Sequence, residues 1–441
     1  VIISIASALL LSRGGTPGAA DKAFFEQLGR HPAALTAVAV LMFLFALVPG
    51  LPFMPFLAGA LGLGAAAVFV RRRMDQAART PEPDTQPAES VERSIGDQME
   101  LDEIHVEFAP DLIRMAMDPA TGLDARIANM RSHIATMFGL IIPEIRLTDN
   151  AALPRGTYAI RIQGVEQARD LLQPDQVLVL LADAADPGTD TVREPVYGAP
   201  ARWIAREHQE DAALEGLTVV TPVEVLATHL LEVLKRNFGR LLSFRSLRRI
   251  LDEFTNLSDP DRAAMNRRLL EELVPDKVPF ELLQSVLRLL LEEQVSIRNL
   301  PLILEAIAEA RPRFSAVEDM AEYVRQRLGF QIIAGFRRAD GTLPLIRLAP
   351  EWEALFQEYT IAGEGGQQDI ALPPDEFNRL AGAVAERISQ AGESGTYPAV
   401  VTTTRRRRFL RTVLNAKGIL NPVLSFDEIG TTARPALVGV A

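Results

Sequence analysis

The sequence predicts an α+β multidomain cytoplasmic body preceded by a transmembrane helical hairpin. Three observations carry this. Residues 33–70 form a run of 38 positions without a charge. Three consecutive arginines, Arg71, Arg72 and Arg73, close that run. Beyond residue 100, helical periodicity alternates with short strand-like runs.

A single bilayer span needs about 20 residues, so the uncharged run is too long for one helix and suits two short ones. Pro49, Gly50 and Pro52 fall near its middle, where they break a helix and turn the chain. The expected spans are 33–48 and 53–70. Arg71–Arg73 after the second span, with Lys22 and Arg30 before the first, place both ends on the cytoplasmic side. Small residues in the second span (Ala58, Gly59, Gly62, Gly64, Ala66) favour close helix packing. The alternative is a buried helical hairpin of a soluble protein. Residues 1–12 read as the end of a truncated transmembrane helix that exits at Arg13, because the chain opens on Val1 within an apolar run. The sequence therefore reads as part of a longer protein.

Residues 74–99 carry Pro81, Pro83 and Pro87 among polar and acidic residues, a composition that cannot bury a core and predicts a flexible tether. Order is expected to resume near Leu101. Asp124 is a candidate cap for a helix whose apolar face is Ile127, Met130, Ile134 and Met137, ending at Gly139. Strands are expected at 158–162 and 177–181. Thr221, Pro222 and Glu224 have the form of a capping box with proline at the first helical position. The helix they open presents Leu226, Leu230, Val233 and Phe238 on one side. From 243 to 311 the signals are almost purely helical, at 244–255, 261–273, 279–293 and 299–310, in a helix-turn-helix-like order. Helices at 317–329, 374–391 and 405–416 then alternate with strands at 344–348, 398–402 and 422–425. The loop 362–368 divides this last part.

Composition restricts function. Of the formal charge of −11, residues 1–73 contribute +4, which leaves −15 on the rest, and so acidic a body disfavours nucleic acid. The absence of cysteine excludes disulfides, a thiolate nucleophile and cysteine-ligated zinc. Gly363-Glu364-Gly365-Gly366 lacks the lysine of a phosphate-binding loop. The histidines have no metal-ligand spacing, and His229 reads as a partly buried polar residue rather than a base. No GxSxG elbow occurs. No enzyme, cofactor or metal is expected. Arg405–Arg408 and the group Arg245, Arg248 and Arg249 could touch DNA, but in an acidic body they read as partners for acids within the body or across a subunit interface.

Several separated motifs share one order. They are Asp149-Asn150 with Leu153-Pro154-Arg155-Gly156-Thr157-Tyr158, Glu194-Pro195-Val196-Tyr197-Gly198-Ala199-Pro200 with Trp203-Ile204, Ala227-Thr228-His229-Leu230, and Ser296-Ile297-Arg298-Asn299-Leu300 with Ile303-Leu304-Glu305. Together they resemble the flagellar export-gate family, FlhA or FHIPEP, over residues 100–430. The uncharged hairpin resembles the last two spans of that family's membrane region. The resemblance implies an export-gate subunit of the flagellar type III secretion apparatus, multi-pass in the bacterial inner membrane. Its cytoplasmic part would assemble with itself into a nonameric ring, beside other membrane export-gate subunits. That ring would dock chaperone–substrate complexes and the export ATPase complex for export driven by the proton motive force. The implied body domains are 100–172 with 222–241, 173–221, 242–321 and 322–441. The implied chaperone-binding residues are Glu194 (a position usually Asp), Tyr197 (usually Phe) and Thr228, while Trp203 reads as core. The alternatives are a virulence injectisome export-gate paralogue and, from another class, a membrane-tethered DNA-binding regulator using the 243–311 helices.

Overall fold

The computed structural model describes residues 101–118, 122–181, 191–274, 276–362, 368–430 and 433–441, with isolated positions at Met54, Gly59 and Leu61. The expected hairpin at 33–70, the tether at 74–99 and the helix end at 1–12 lie outside the described residues. Among the described residues no helix is long and apolar enough to cross a membrane. The chain divides into two units, Val1–Met99 and Glu100–Ala441. The second is mixed α/β.

The first sheet has the order β2-β1-β3-β4, from β1 (Ile104–Phe108), β2 (Ile145–Asp149), β3 (Thr157–Ile162) and β4 (Val165–Leu171). Strand β1 is parallel to β2 and antiparallel to β3. A parallel pair needs a crossover, and helix α1 (Leu123–Phe138) supplies it. Alternation along β1 sends Ile104, Val106 and Phe108 into the core. Helix α2 (Pro222–Arg236) packs beside α1, and its capping box between Thr221 and Glu224 is present.

Between β4 and α2 the chain forms a second, wholly antiparallel sheet, β6-β7-β5-β8: β5 (Gln176–Leu180), β6 (Val192–Arg193), β7 (Pro200–Ala205) and β8 (Thr218–Val220). Five helices follow: α3 (Phe244–Thr255), α4 (Pro260–Leu273), α5 (Phe280–Glu292), α6 (Leu300–Ala310) and α7 (Val317–Arg327). Their starts are chemically marked. Ser243, Asp259 and Asn299 accept from backbone amides as N-caps, and proline occupies the first turn of α4 and α6.

After α8 (Gly329–Ala334) comes a parallel sheet, β13-β12-β9-β14: β9 (Thr342–Arg347), β12 (Ala399–Thr402), β13 (Val423–Ser425) and β14 (Arg434–Val440). Its other elements are α9 (Pro350–Glu358), the small hairpin β10 (Thr360–Ala362) with β11 (Gln368–Ile370), α10 (Pro374–Glu393), α11 (Thr404–Ala416) and α12 (Phe426–Ile429). Parallel strands are covered on both faces. Val400 and Val423 accordingly join one apolar cluster with Trp352, Phe356 and Leu410, while Ala399, Val401 and Leu424 join another with Ile333 and Leu343.

The structure corrects several details of the sequence reading. Gly122, not Asp124, stands at the N-cap of α1, and Asp124 lies inside the first turn. Met137 is exposed rather than part of the apolar face. Helix α2 stops at Arg236, and Phe238 is buried from a separate short helix, Phe238–Leu241. The helix expected over 317–329 ends at Arg327, and the chain re-enters a helix at Gly329.

Candidate functional site

The outward stripe of α2 runs through Glu224, Ala227, Thr228, Leu231, Glu232 and Lys235, at the three- and four-residue spacings that share one helix face. Along one side of it, α1 contributes Arg126, Asn129, Met130 and His133 to a cleft of about 290 Å³ that Glu224, Ala227, Thr228 and Leu231 also line. Arg126 bridges to Glu224 at 3.0 Å at one end. The Thr228 hydroxyl donates to the Glu224 carbonyl at 2.8 Å, which satisfies it within α2.

On the other side of the stripe stands the turn at 194–199. Glu194 is 8% exposed. Its Oε1 accepts from the Val196 amide at 2.8 Å and its Oε2 from the Tyr197 amide at 2.7 Å. The Glu194 carbonyl accepts from the Gly198 amide at 2.9 Å, and Gly198 has a φ of 70°, a left-handed conformation that favours glycine. This turn lifts Tyr197 to 68% exposure. The Tyr197 hydroxyl reaches across to Glu232 Oε1 on α2 at 3.2 Å. Burial raises the hydroxyl pKa above its ordinary value, with Glu232 adding to the effect.

The three residues singled out from the sequence are thus on one face but in different roles. Tyr197 is displayed, Thr228 lines the cleft one helical turn from Glu232, and Glu194 is buried under the turn with both carboxylate oxygens engaged. Glu194 positions Tyr197 rather than meeting solvent. Trp203, expected in the core, is instead half-buried and packed against it. Sequence reasoning missed Glu232. Its signal was present in the four-residue row Glu224, Thr228, Glu232.

Beneath this face, the Tyr158 hydroxyl and His229 Nδ1 lie 2.6 Å apart, ring against ring edge. Burial raises the Tyr158 pKa and lowers that of His229 from 6.5, which keeps both neutral, with Tyr158 as donor. A histidine depressed by folding contributes stability that is complete above its ordinary value and is lost as pH falls below it. Denaturant midpoints are therefore expected to fall as pH is lowered from about 7.5 to about 5, and the His229→Gln variant is expected to flatten that dependence.

Three arginines of the basic run after β12 pair with acids of the body. Arg407 is fully buried, and its Nε donates to Glu322 at 2.6 Å and its Nη2 to Glu293 at 2.8 Å. Arg406 pairs with Glu353 at 3.3 Å, and Arg408 with Glu318 at 3.6 Å. Arg325 completes the arrangement, 2.8 Å from Glu428 and 3.2 Å from Glu293. Arg245, Arg248 and Arg249 are exposed on α3, with Arg248 over the Phe280 ring.

Fold and site together define a mixed α/β body that displays an aromatic turn beside a helix-lined cleft. The FHIPEP family model matches residues 1–434, and the chain belongs to that family. The flagellar biosynthesis protein FlhA of Caulobacter vibrioides is 34% identical over all of this chain and 62% of its own length. This chain spans 62–65% of the length of the first curated relatives it matches. Among solved structures, nonameric EPEC SctV-C superposes with a TM-score of 0.61 at 18% identity, over 78% of this chain and 99% of that one. Chlamydia pneumoniae CdsV, in a structure of its complex with CdsO, gives 0.64 at 22% identity, over 77% and 97%. At these identities the two structures establish the fold.

Proposed function

We propose that this chain is an export-gate subunit of the flagellar type III secretion apparatus, whose body docks chaperone–substrate complexes at the Tyr197 turn. The observation that carries the reading is a large aromatic side chain held out from the surface by a turn whose buried Glu194 fixes its backbone. An exposed aromatic with its main chain already ordered offers a large apolar contact at low entropic cost. Thr228 and the α1–α2 cleft extend the same face.

In this reading residues 33–70 anchor the chain in the bacterial inner membrane as a hairpin with both ends in the cytoplasm, and 74–99 tether the body. The body domains are 100–172 with 222–241, 173–221, 242–321 and 322–441. A homo-oligomeric ring is supported by the nonameric assembly of the EPEC relative. Contact with the export ATPase complex is a further part of the proposal; Chlamydia pneumoniae CdsV, which shares the fold, is itself solved in complex with a second protein, CdsO. The role is docking, with no catalytic residue assigned.

Tyr197→Ala is expected to abolish capture of a filament-type chaperone–substrate complex by the full chain while leaving its circular dichroism unchanged. Undiminished capture by that variant overturns the site. Glu194→Ala is expected to weaken capture too, by loosening the turn. Loss of motility on deletion, with no loss of effector secretion, separates the flagellar gate from its injectisome paralogue.

A further inference from the structure

An exposed ring at the docking face needs something to hold it in one place. Tyrosine has two side-chain torsions, and an aromatic at 68% exposure has little packing to restrict them. Here the residue is held at both ends. Its amide donates to Glu194 at 2.7 Å and its hydroxyl to Glu232 at 3.2 Å. Glu232 is itself restrained, with a side chain only 13% exposed and Lys235 Nζ at 2.7 Å from the same Oε1. It is also one helical turn beyond Thr228, so the hydroxyl is tied down in the row that borders the cleft.

We propose that Glu232 is a positioning residue of the docking face, which fixes the Tyr197 ring on α2 and thereby selects partners that present an apolar side chain. The inference rests on the docking reading above. With its proton committed to Glu232, the hydroxyl offers a partner no free donor, and contact falls on the carbon surface of the ring. The favourable term is preorganisation: the ring loses its freedom on folding, not on binding. Phenylalanine in place of Tyr197 would keep the apolar surface and lose the tie.

The test is a double-mutant cycle on the full chain, with a chaperone–substrate complex from the same flagellar operon as the probe. Tyr197→Phe and Glu232→Ala are each expected to weaken binding about three- to tenfold, the range for one net hydrogen bond. The double variant is expected to be no weaker than either single one. Glu232→Gln retains an acceptor oxygen and is expected to recover most of the affinity, an outcome that a purely electrostatic role would not give. Carbon-13 labelling at the tyrosine ring carbon bearing oxygen supplies a readout independent of the partner: the Tyr197 signal is expected to titrate at lower pH in Glu232→Ala. Additive losses in the cycle, or wild-type affinity for Tyr197→Phe alongside lost binding by Tyr197→Ala, overturn the positioning role alone. Wild-type binding by Tyr197→Ala overturns the docking reading and this one with it.

Discussion

Arg407→Ala is expected to destabilise the body by ~3–5 kcal/mol, the range for removing one partner of a buried ion pair. Arg407 has no exposed surface, and its guanidinium joins Glu293, the residue following α5, to Glu322 of α7. Alanine there leaves two largely buried carboxylates, Glu293 and Glu322, facing a cavity, with Arg325 still paired to Glu293. Burial opposes the ionisation of Glu293, but Arg325 and Arg407 overcome it and hold the carboxyl down at about 2. Glu322 goes the other way, because burial outweighs its share of the same guanidinium and raises its pKa. A carboxyl depressed by folding contributes stability present above its ordinary value of 4.5 and lost as pH falls toward 2. Acid unfolding of the wild type is expected to begin in that window, and Arg407→Ala should move it to higher pH. Trp352, buried in the C-terminal apolar cluster, is the natural fluorescence reporter for the denaturant midpoint. A midpoint unchanged from wild type would show that Arg407 contributes no net stability. Replacing Arg407, Glu293 and Glu322 together by apolar residues of similar volume is expected to cost far less than the single change.

The burial of Arg407 was legible in the sequence, though only through periodicity. Along α11 the buried positions are Arg406, Arg407, Leu410, Val413 and Leu414, and Arg407 stands three and seven residues before Leu410 and Leu414, on the same stripe. Charge counting alone could say that internal acids would take up the run. It could not say which arginine goes inside, because the partners come from α7 and from the end of α5, on average about a hundred residues away.

Helix boundaries in the middle of the chain were readable because caps and prolines act locally. Ser243 and Asp259 mark their helices without tertiary help. Asp124 was misread because an acid near a helix start is favoured both as a cap and within the first turn. The short strands were poorly legible. Strand β14 has mostly exposed residues, and its place beside β9 is set by pairing partners some ninety residues earlier in the chain. At the docking face, the family motif pointed to Glu194, Tyr197 and Thr228. Their division of labour depends on which side chain is buried, which a single sequence does not record. Glu232 shared the outer row of α2 with Thr228, yet nothing in the sequence says that Tyr197 crosses to it.

Gly329→Ala is expected to cost about 3 kcal/mol, at the upper end for overpacking a well-filled site. The Gly329 backbone needs no special conformation, so the cost comes from space alone. A Cβ there would stand 2.3 Å from the Glu428 carbonyl oxygen and 3.1 Å from its Cα, both of them backbone atoms that cannot swing aside. Nor is α12 free to retreat. Glu428 closes a capping box with Ser425 and accepts from Arg325 Nε at 2.8 Å, so moving its backbone strains both. Because Arg325 also faces Glu293, the displacement would be felt in the Arg407 network. Gly382 supplies the control: it lies within α10 with open space around its Cβ position, and alanine there should stabilise by about 0.5–1 kcal/mol through helix propensity. Paired denaturation curves read at Trp352 test both changes. Equal midpoints for Gly329→Ala and wild type would mean that α8 and α12 do not approach this closely, whereas a loss confined to Gly329→Ala assigns the cost to that contact.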